Sequence, residues 1–239
     1  MERLKVMTRE EYLNEIFKSY SLVSVLSDKN GCKVMRVRNK NIKKDMVLRE
    51  FQDAVEAYEV LCKISAENLP NIYDVINLSN GQIVFEEFID GVTVAEVMES
   101  GKYRYRGAKN VLSAVCDALT VLHTNGLVHR DVKPENVMVD KNGRVVLIDF
   151  NASRRVSNAS SDTVVMGTVG YASPEQLGVN QSDGRADIYA LGIMLNVMLC
   201  GKHPSEKMLG GKKGKIVRKC TAVNPDERYK TVVKFKEAL

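Results

Sequence analysis

Val128-His129-Arg130-Asp131-Val132-Lys133-Pro134-Glu135-Asn136, followed by Asp149-Phe150-Asn151, is the stretch whose reading decides the fold. Between the two segments, Val137-Met138-Val139 is a short apolar run of strand type and Asn142-Gly143 is a strong two-residue hairpin signal. Residues 145–148 (Val-Val-Leu-Ile) then run back beside the first strand. The hairpin returns Asp149 to the neighbourhood of Asn136, within reach of one ion. A carboxylate and an amide oxygen are hard donors suited to a divalent cation on phosphates, and Asp131 supplies a base for an attacking hydroxyl. Phosphoryl transfer needs that combination.

The series H-R-D-x-K-P-E-N, then D-F-x, then Ser173-Pro174-Glu175, in this order and spacing, resembles the signature set of the protein kinase family. Lys133, two residues after Asp131, is the serine/threonine form of the loop, and Ser-Pro-Glu-Gln is similar to the bacterial version. The resemblance implies an α+β, bilobal fold: a small antiparallel β-sheet lobe with one helix, then a larger, mostly helical lobe. Residues 1–20 would be a helical extension, 21–90 the small lobe and 91–239 the large one. The implied activity is ATP- and Mg2+- or Mn2+-dependent transfer of a γ-phosphate to a serine or threonine of a protein substrate. Asp131 would orient or deprotonate the hydroxyl, Lys133 would stabilise the transferring phosphoryl, and Asn136 with Asp149 would hold the metal. Val34 and Val47 would roof the adenine, Met138 would floor it, and Glu87 and Ile89 would form the hinge that it meets.

Three features depart from the pattern. The hairpin around Asn30-Gly31 carries Ser27, Lys29 and Cys32 where the phosphate-covering lid has glycines, which restricts close backbone approach. Arg49 stands where the family has a phosphate-bridging lysine, and the swap is not conservative at a crowded site. Its acidic partner is open among Glu56, Glu59 and Glu86. Glu86 falls at the back of the nucleotide pocket, where an unpaired carboxylate is expensive, so an Arg49–Glu86 pair is expected. Asn151 replaces the glycine of D-F-G; asparagine tolerates left-handed backbone better than most residues. These departures keep a second reading open, a pseudokinase that binds nucleotide or a partner with little turnover. A small-molecule kinase is disfavoured by the docking segment from Thr168 to Glu175.

The rest of the chain fits this frame. Thr8-Arg9-Glu10-Glu11 is a capping box ahead of Tyr12, Leu13, Ile16, Phe17 and Tyr20 on one helical face, either a brace on the small lobe or a dimer contact. Residues 54–64 read as the small lobe's helix and residues 108–123 as a strongly periodic helix stopped by Asn125-Gly126. Asn80-Gly81 marks a further hairpin turn. Ser160 and Thr163, in a hydroxyl-rich segment with Arg130, Arg154 and Arg155 to receive a phosphate, are the candidate phosphorylation sites. Asp187 opens a helix apolar on nearly every side, and Arg228 should pair with Glu175.

Composition agrees. At 239 residues, 44% apolar and 27% charged, the chain has the make-up of an ordinary globular protein, and a net charge of +5 does not call for nucleic acid. The basic run over residues 202–219 reads as a solvated face. Five cysteines without a C-x-x-C pair suggest reduced core thiols and a cytoplasmic setting. No apolar run is long enough to span a bilayer, and His123 and His129 lack a third ligand at metal-binding spacing.

Overall fold

Where the chain alternates apolar and polar residues it builds a sheet, and where the apolar period lengthens it builds helices. The computed structural model describes residues 7–29, 31–155, 168–177 and 182–239. They fall into two compact units, one of residues up to Ser65 with Pro70–Ile89, the other of Ala66–Leu69 with Asp90–Leu239.

The first unit is a five-stranded antiparallel sheet with two helices. Helix α1 (Arg9–Ser19) is followed by β1 (Tyr20–Lys29), β2 (Cys32–Asn39), β3 (Asp45–Phe51), α2 (Glu56–Leu61), β4 (Ile72–Leu78) and β5 (Gly81–Glu87), with strand order β1-β2-β3-β5-β4. Thr8 caps α1: its hydroxyl accepts from the Glu11 amide while the Glu11 carboxylate accepts from the Thr8 amide. Ile16 of α1 is buried among Met35, Val37, Met46, Leu48, Ile83 and Phe85, with Tyr12, Leu13 and Phe17 beside it. Burying a side chain of that size is worth about 1.5–3 kcal/mol. Arg9 adds a salt bridge to Glu50 at 2.8 Å and a hydrogen bond to the Phe51 carbonyl at 3.1 Å. The helix is thus a brace on one face of the sheet.

Two local expectations change, and one strand is irregular. The helix expected over residues 54–64 is confined to Glu56–Leu61, because the Val55 amide is bonded to Gln82 Oε1 at 3.1 Å and Val55 keeps extended backbone. Cys62 is accordingly exposed instead of facing inward. The second hairpin turns at Ser79-Asn80, since Leu78 pairs with Gly81. Gly81 is the first residue of β5, with φ +148° and its missing Cβ direction only 2.1 Å from the Phe51 carbonyl oxygen. In β1 the alternation is broken by two bulges, and Leu22, Val23, Val25 and Leu26 are exposed along this edge strand.

The second unit runs β6 (Gly91–Thr93), α3 (Val94–Glu99), α4 (Tyr105–Thr124), β7 (Leu127–Val128), β8 (Val137–Asp140), β9 (Val145–Leu147), β10 (Arg154–Arg155), α5 (Gly184–Cys200), α6 (Gly211–Cys220) and α7 (Val232–Ala238). Ala108, Val111, Leu112, Val115, Leu119 and Leu122 form the buried stripe of α4, which ends with Gly126 in left-handed backbone at φ +73°. Helix α5 is buried on almost all sides. Helix α6 starts in the stretch Gly210-Gly211, where no helix was expected; Gly214 is required, because a Cβ there would sit 1.9 Å from the Leu209 carbonyl oxygen. Cys32, Cys116 and Cys220 are buried, and burial pushes the Cys116 thiol up to about 12. Among the described residues, no helix is long and apolar enough to cross a membrane.

Candidate active site

The hairpin that follows residues 128–136 forms as the sequence suggests. Strands β8 and β9 pair from Val137–Leu147 to Val139–Val145, and Gly143 turns between them at φ +85°. The Ile148 amide donates to the Asn136 carbonyl at 2.9 Å. Asp149 therefore follows directly on a rung that ends at Asn136.

Asp187, fully buried at the start of α5, anchors the loop from below. Its carboxylate accepts from the His129 amide at 3.0 Å, the Arg130 amide at 2.8 Å and His123 Nε2 at 2.8 Å. Burial alone would raise this carboxyl, but the hydrogen bonds from His123 and the Arg130 amide hold it below the ordinary aspartate range. Arg130 takes left-handed backbone at φ +69°, a conformation that costs a side-chain-bearing residue about 1–2 kcal/mol. Asp187 on its amide and Gln176 Nε2 on its carbonyl, at 2.8 Å, hold it there. His129 is a packed core histidine: the Asp131 amide donates to Nδ1 at 3.3 Å, so Nε2 carries the hydrogen toward the Ile148 carbonyl at 3.2 Å. Its ring meets Phe150 edge-on at 5.4 Å.

This scaffold presents Asp131. One carboxylate oxygen, Oδ1, accepts from the Thr168 hydroxyl at 2.6 Å. The other, Oδ2, accepts from Lys133 Nζ at 2.7 Å and Asn136 Nδ2 at 2.8 Å. Lys133 Nζ also donates to Thr168 Oγ1 at 2.5 Å. Burial would raise the Asp131 carboxyl, yet the bonds from Lys133 and Thr168 outweigh it and hold it below its ordinary range. Asn136 Nδ2 also bonds the Asp131 carbonyl at 2.9 Å, so both amide hydrogens are used and Oδ1 is the atom left to face a cation. Asp149 is itself left-handed, at φ +67°. Asn151 is not, so the tolerance expected of asparagine there is not what the turn requires; the strained residue is the carboxylate. Among the described residues no three His, Cys, Asp or Glu side chains converge on a metal site. Two oxygen donors suit magnesium, which takes one or two protein groups beside phosphate oxygens.

In the first unit, cross-strand register sets Val34 opposite Arg49, Val47 opposite Glu86 and Arg49 opposite Val84. Val34, Val47, Arg49 and Glu86 therefore share one face of the sheet, opposite the face that α1 covers. Arg49 Nε and Nη2 both reach Glu86 Oε1, at 2.9 and 2.8 Å, and both side chains are buried. Of the three candidate acids Glu86 is thus a partner of Arg49, while Glu59 accepts from Asn77 Nδ2 at 2.7 Å on the surface. Glu87 accepts from the Asn71 amide at 3.1 Å and its side chain at 2.9 Å, and Ile89 is buried. Met138, in the second unit, is half-buried on β8. Ser160 and Thr163 lie outside the described residues.

Arg228 forks onto Glu175 at 2.6 and 2.8 Å, stacks on Tyr189 at 4.9 Å and donates to the Ala222, Val223 and Arg185 carbonyls. Sequence reasoning missed the anchoring parts of Asp187, Gln176 and His123. The signal available was an aspartate opening a helix otherwise apolar all round, where an acid survives only if several donors meet it.

Comparison with known proteins follows the same lines. The family described as protein kinase domain matches residues 19–238. The serine/threonine-protein kinase PknB of Mycolicibacterium smegmatis is 30% identical over 181 residues, 64% of this chain and 29% of that protein. The probable serine/threonine-protein kinase PknB of Lactococcus lactis subsp. lactis is 31% identical over 175 residues, 72% of this chain and 27% of that protein. The chain spans under a third of the length of these relatives.

Proposed function

From the premise that this chain belongs to the protein kinase family, in its bacterial serine/threonine branch, we propose that it transfers the γ-phosphate of ATP to a serine or threonine hydroxyl of a protein. The observation that carries the proposal is the Asp131 carboxylate, gripped on one side by Thr168 and on the other by Lys133 and Asn136. Its depressed pKa keeps it ionised, and an ionised carboxylate at fixed orientation can accept an alcohol's hydrogen bond and receive its proton as the oxygen becomes bonded to phosphorus. Lys133 carries a positive charge beside that carboxylate, where negative charge on a moving phosphoryl group needs a counter-charge. Asn136 Oδ1 and Asp149 are the residues that would hold a magnesium or manganese ion. When bound, the ion supplies charge neutralisation on the phosphate oxygens. In the first unit Val34 and Val47 would pack against the adenine, with Glu87 and Ile89 at its polar edge. The kinase domain would run from 21 to 239, its small lobe ending near 90.

A pseudokinase is the second reading, favoured by one observation: Arg49 is committed to buried Glu86 instead of being a lysine poised for phosphates. One assay separates the two. The purified chain is incubated with γ-labelled ATP, magnesium and a generic acceptor protein, beside Asp131→Asn and Arg49→Lys. Transfer that falls about 10²–10⁴-fold in Asp131→Asn and is unchanged or raised in Arg49→Lys supports the kinase. A nucleotide-induced thermal shift without transfer from any of the three supports the pseudokinase.

A further inference from the structure

In the second unit, the last turn of α4, β7, the start of α5 and the start of α7 line an open cavity of about 420 Å³. That volume is in the range of small-molecule sites, roughly 300–1,000 Å³. Leu127, Val128, Val232 and Val233 give it apolar walls. Its convergent polar group is His123. Because the Asp187 carboxylate only accepts, His123 Nε2 carries the hydrogen of their 2.8 Å bond, and in the neutral ring Nδ1 is a lone-pair acceptor. Among the described residues no protein group bonds to that nitrogen, and the side chain is 20% exposed. Gly184 lies over the face of the ring, where a Cβ would come within 2.7 Å of Cε1, 2.8 Å of Nδ1 and 3.2 Å of Nε2. A glycine there lets the backbone pack on the ring face and does not cover the in-plane lone pair of Nδ1.

The charges at the rim are already matched. Arg185 pairs with Asp183 at 2.7 Å and with Asp226 at 2.6 Å, and Lys230 reaches Asp226 at 3.4 Å. An anionic ligand would have to compete with both carboxylates, so the chemistry favours a neutral one. The geometry points to a binding site for a small, flat, largely apolar molecule carrying a single N–H or O–H donor directed at His123 Nδ1. The ligand acts on the loop through one ring and one carboxylate, since the Asp187 that holds His123 also holds the His129 and Arg130 amides.

Indole is the probe, and 1-methylindole, the same body without the donor, is its control. The chain contains no tryptophan, so indole fluorescence is read without a protein indole background. Saturable indole binding with Kd of about 0.1–1 mM, weakened about tenfold or more for 1-methylindole, is the expected result. Val233→Phe, at an exposed position of the cavity wall, narrows the space without touching the core and should reduce indole binding at unchanged thermal stability. Amide exchange at His129 and Arg130 should slow when indole is added. Equal affinity for the two indoles, undiminished binding by a folded Val233→Phe protein, or exchange at those two amides insensitive to saturating indole would each overturn the assignment. None of these readouts uses phosphoryl transfer, so they stand apart from the proposed activity.

Discussion

Replacing Glu86 by leucine leaves the Arg49 guanidinium buried without the carboxylate that two of its nitrogens reach at 2.8 and 2.9 Å. At an effective dielectric of about 20, unit charges about 4 Å apart attract by about 4 kcal/mol. Removing one partner of a buried pair costs about 3–5 kcal/mol, because the remaining ion keeps its desolvation penalty and loses that attraction. For a chain of this size each kcal/mol moves the melting temperature by about 2–4 °C, so Glu86→Leu should lower Tm by about 6–20 °C. Arg49→Met should cost a similar amount. The two changes together remove both charges and fill the same space with carbon, so the double variant should return to within about 1 kcal/mol of wild type, or exceed it. Urea midpoints and thermal scans on the four proteins close the cycle. If each single variant lost less than about 1 kcal/mol, the pair would be behaving like an exposed ion pair, and the reasoning from its burial would be refuted.

Other consequences follow from named contacts. Gly81→Ala must leave φ +148° or drive a Cβ into the Phe51 carbonyl oxygen, and should cost about 1–3 kcal/mol by urea denaturation; a neutral result would contradict the β3–β5 geometry. Arg228→Lys keeps the charge but not the fork that meets both Glu175 oxygens, so it should destabilise nearly as much as Glu175→Gln, about 3–5 kcal/mol, whereas full retention of stability would show that charge alone suffices. Asp45 accepts from Arg38 at 2.9 Å and Arg36 at 2.8 Å, and these bonds, Arg38 first, lower its pKa from 3.8 to about 2. Since the folded value lies below the unfolded one, the stability it lends is complete above about pH 4 and is lost as pH falls toward about 2. Carboxyl NMR titration should show that midpoint in the folded protein and an upward shift in Arg38→Gln; an unshifted wild-type carboxyl would be the contrary finding.

What the sequence disclosed, and what it hid, divides along the range of the forces involved. The β8–β9 hairpin was legible because Asn142-Gly143 demands a turn and short apolar runs flank it, both local signals. The Arg49–Glu86 pair was legible because a buried carboxylate must find a cation. Helix α4 announced itself through period and stop. The limits of α2 were not legible, since they depend on a hydrogen bond from Val55 to Gln82, 27 residues away. Nor was the strained position of the D-F-N turn: composition pointed at Asn151, yet the surrounding bonds put the left-handed backbone at Asp149. Helix α6 was hidden by glycines of poor helix propensity, one of which is required by a backbone approach from Leu209. Asp187 was read as the residue that opens an apolar helix, and its three hydrogen bonds to the loop and to His123 appear only once α5 is brought against β7.

Manganese, bound with a non-hydrolysable ATP analogue, can be located in crystals by its anomalous scattering. A peak coordinated by Asn136 Oδ1 and the Asp149 carboxylate, with the terminal phosphate turned toward Asp131, is the predicted result. No peak at saturating manganese and nucleotide, or a peak held by other side chains, would contradict the proposal that this loop carries out phosphoryl transfer.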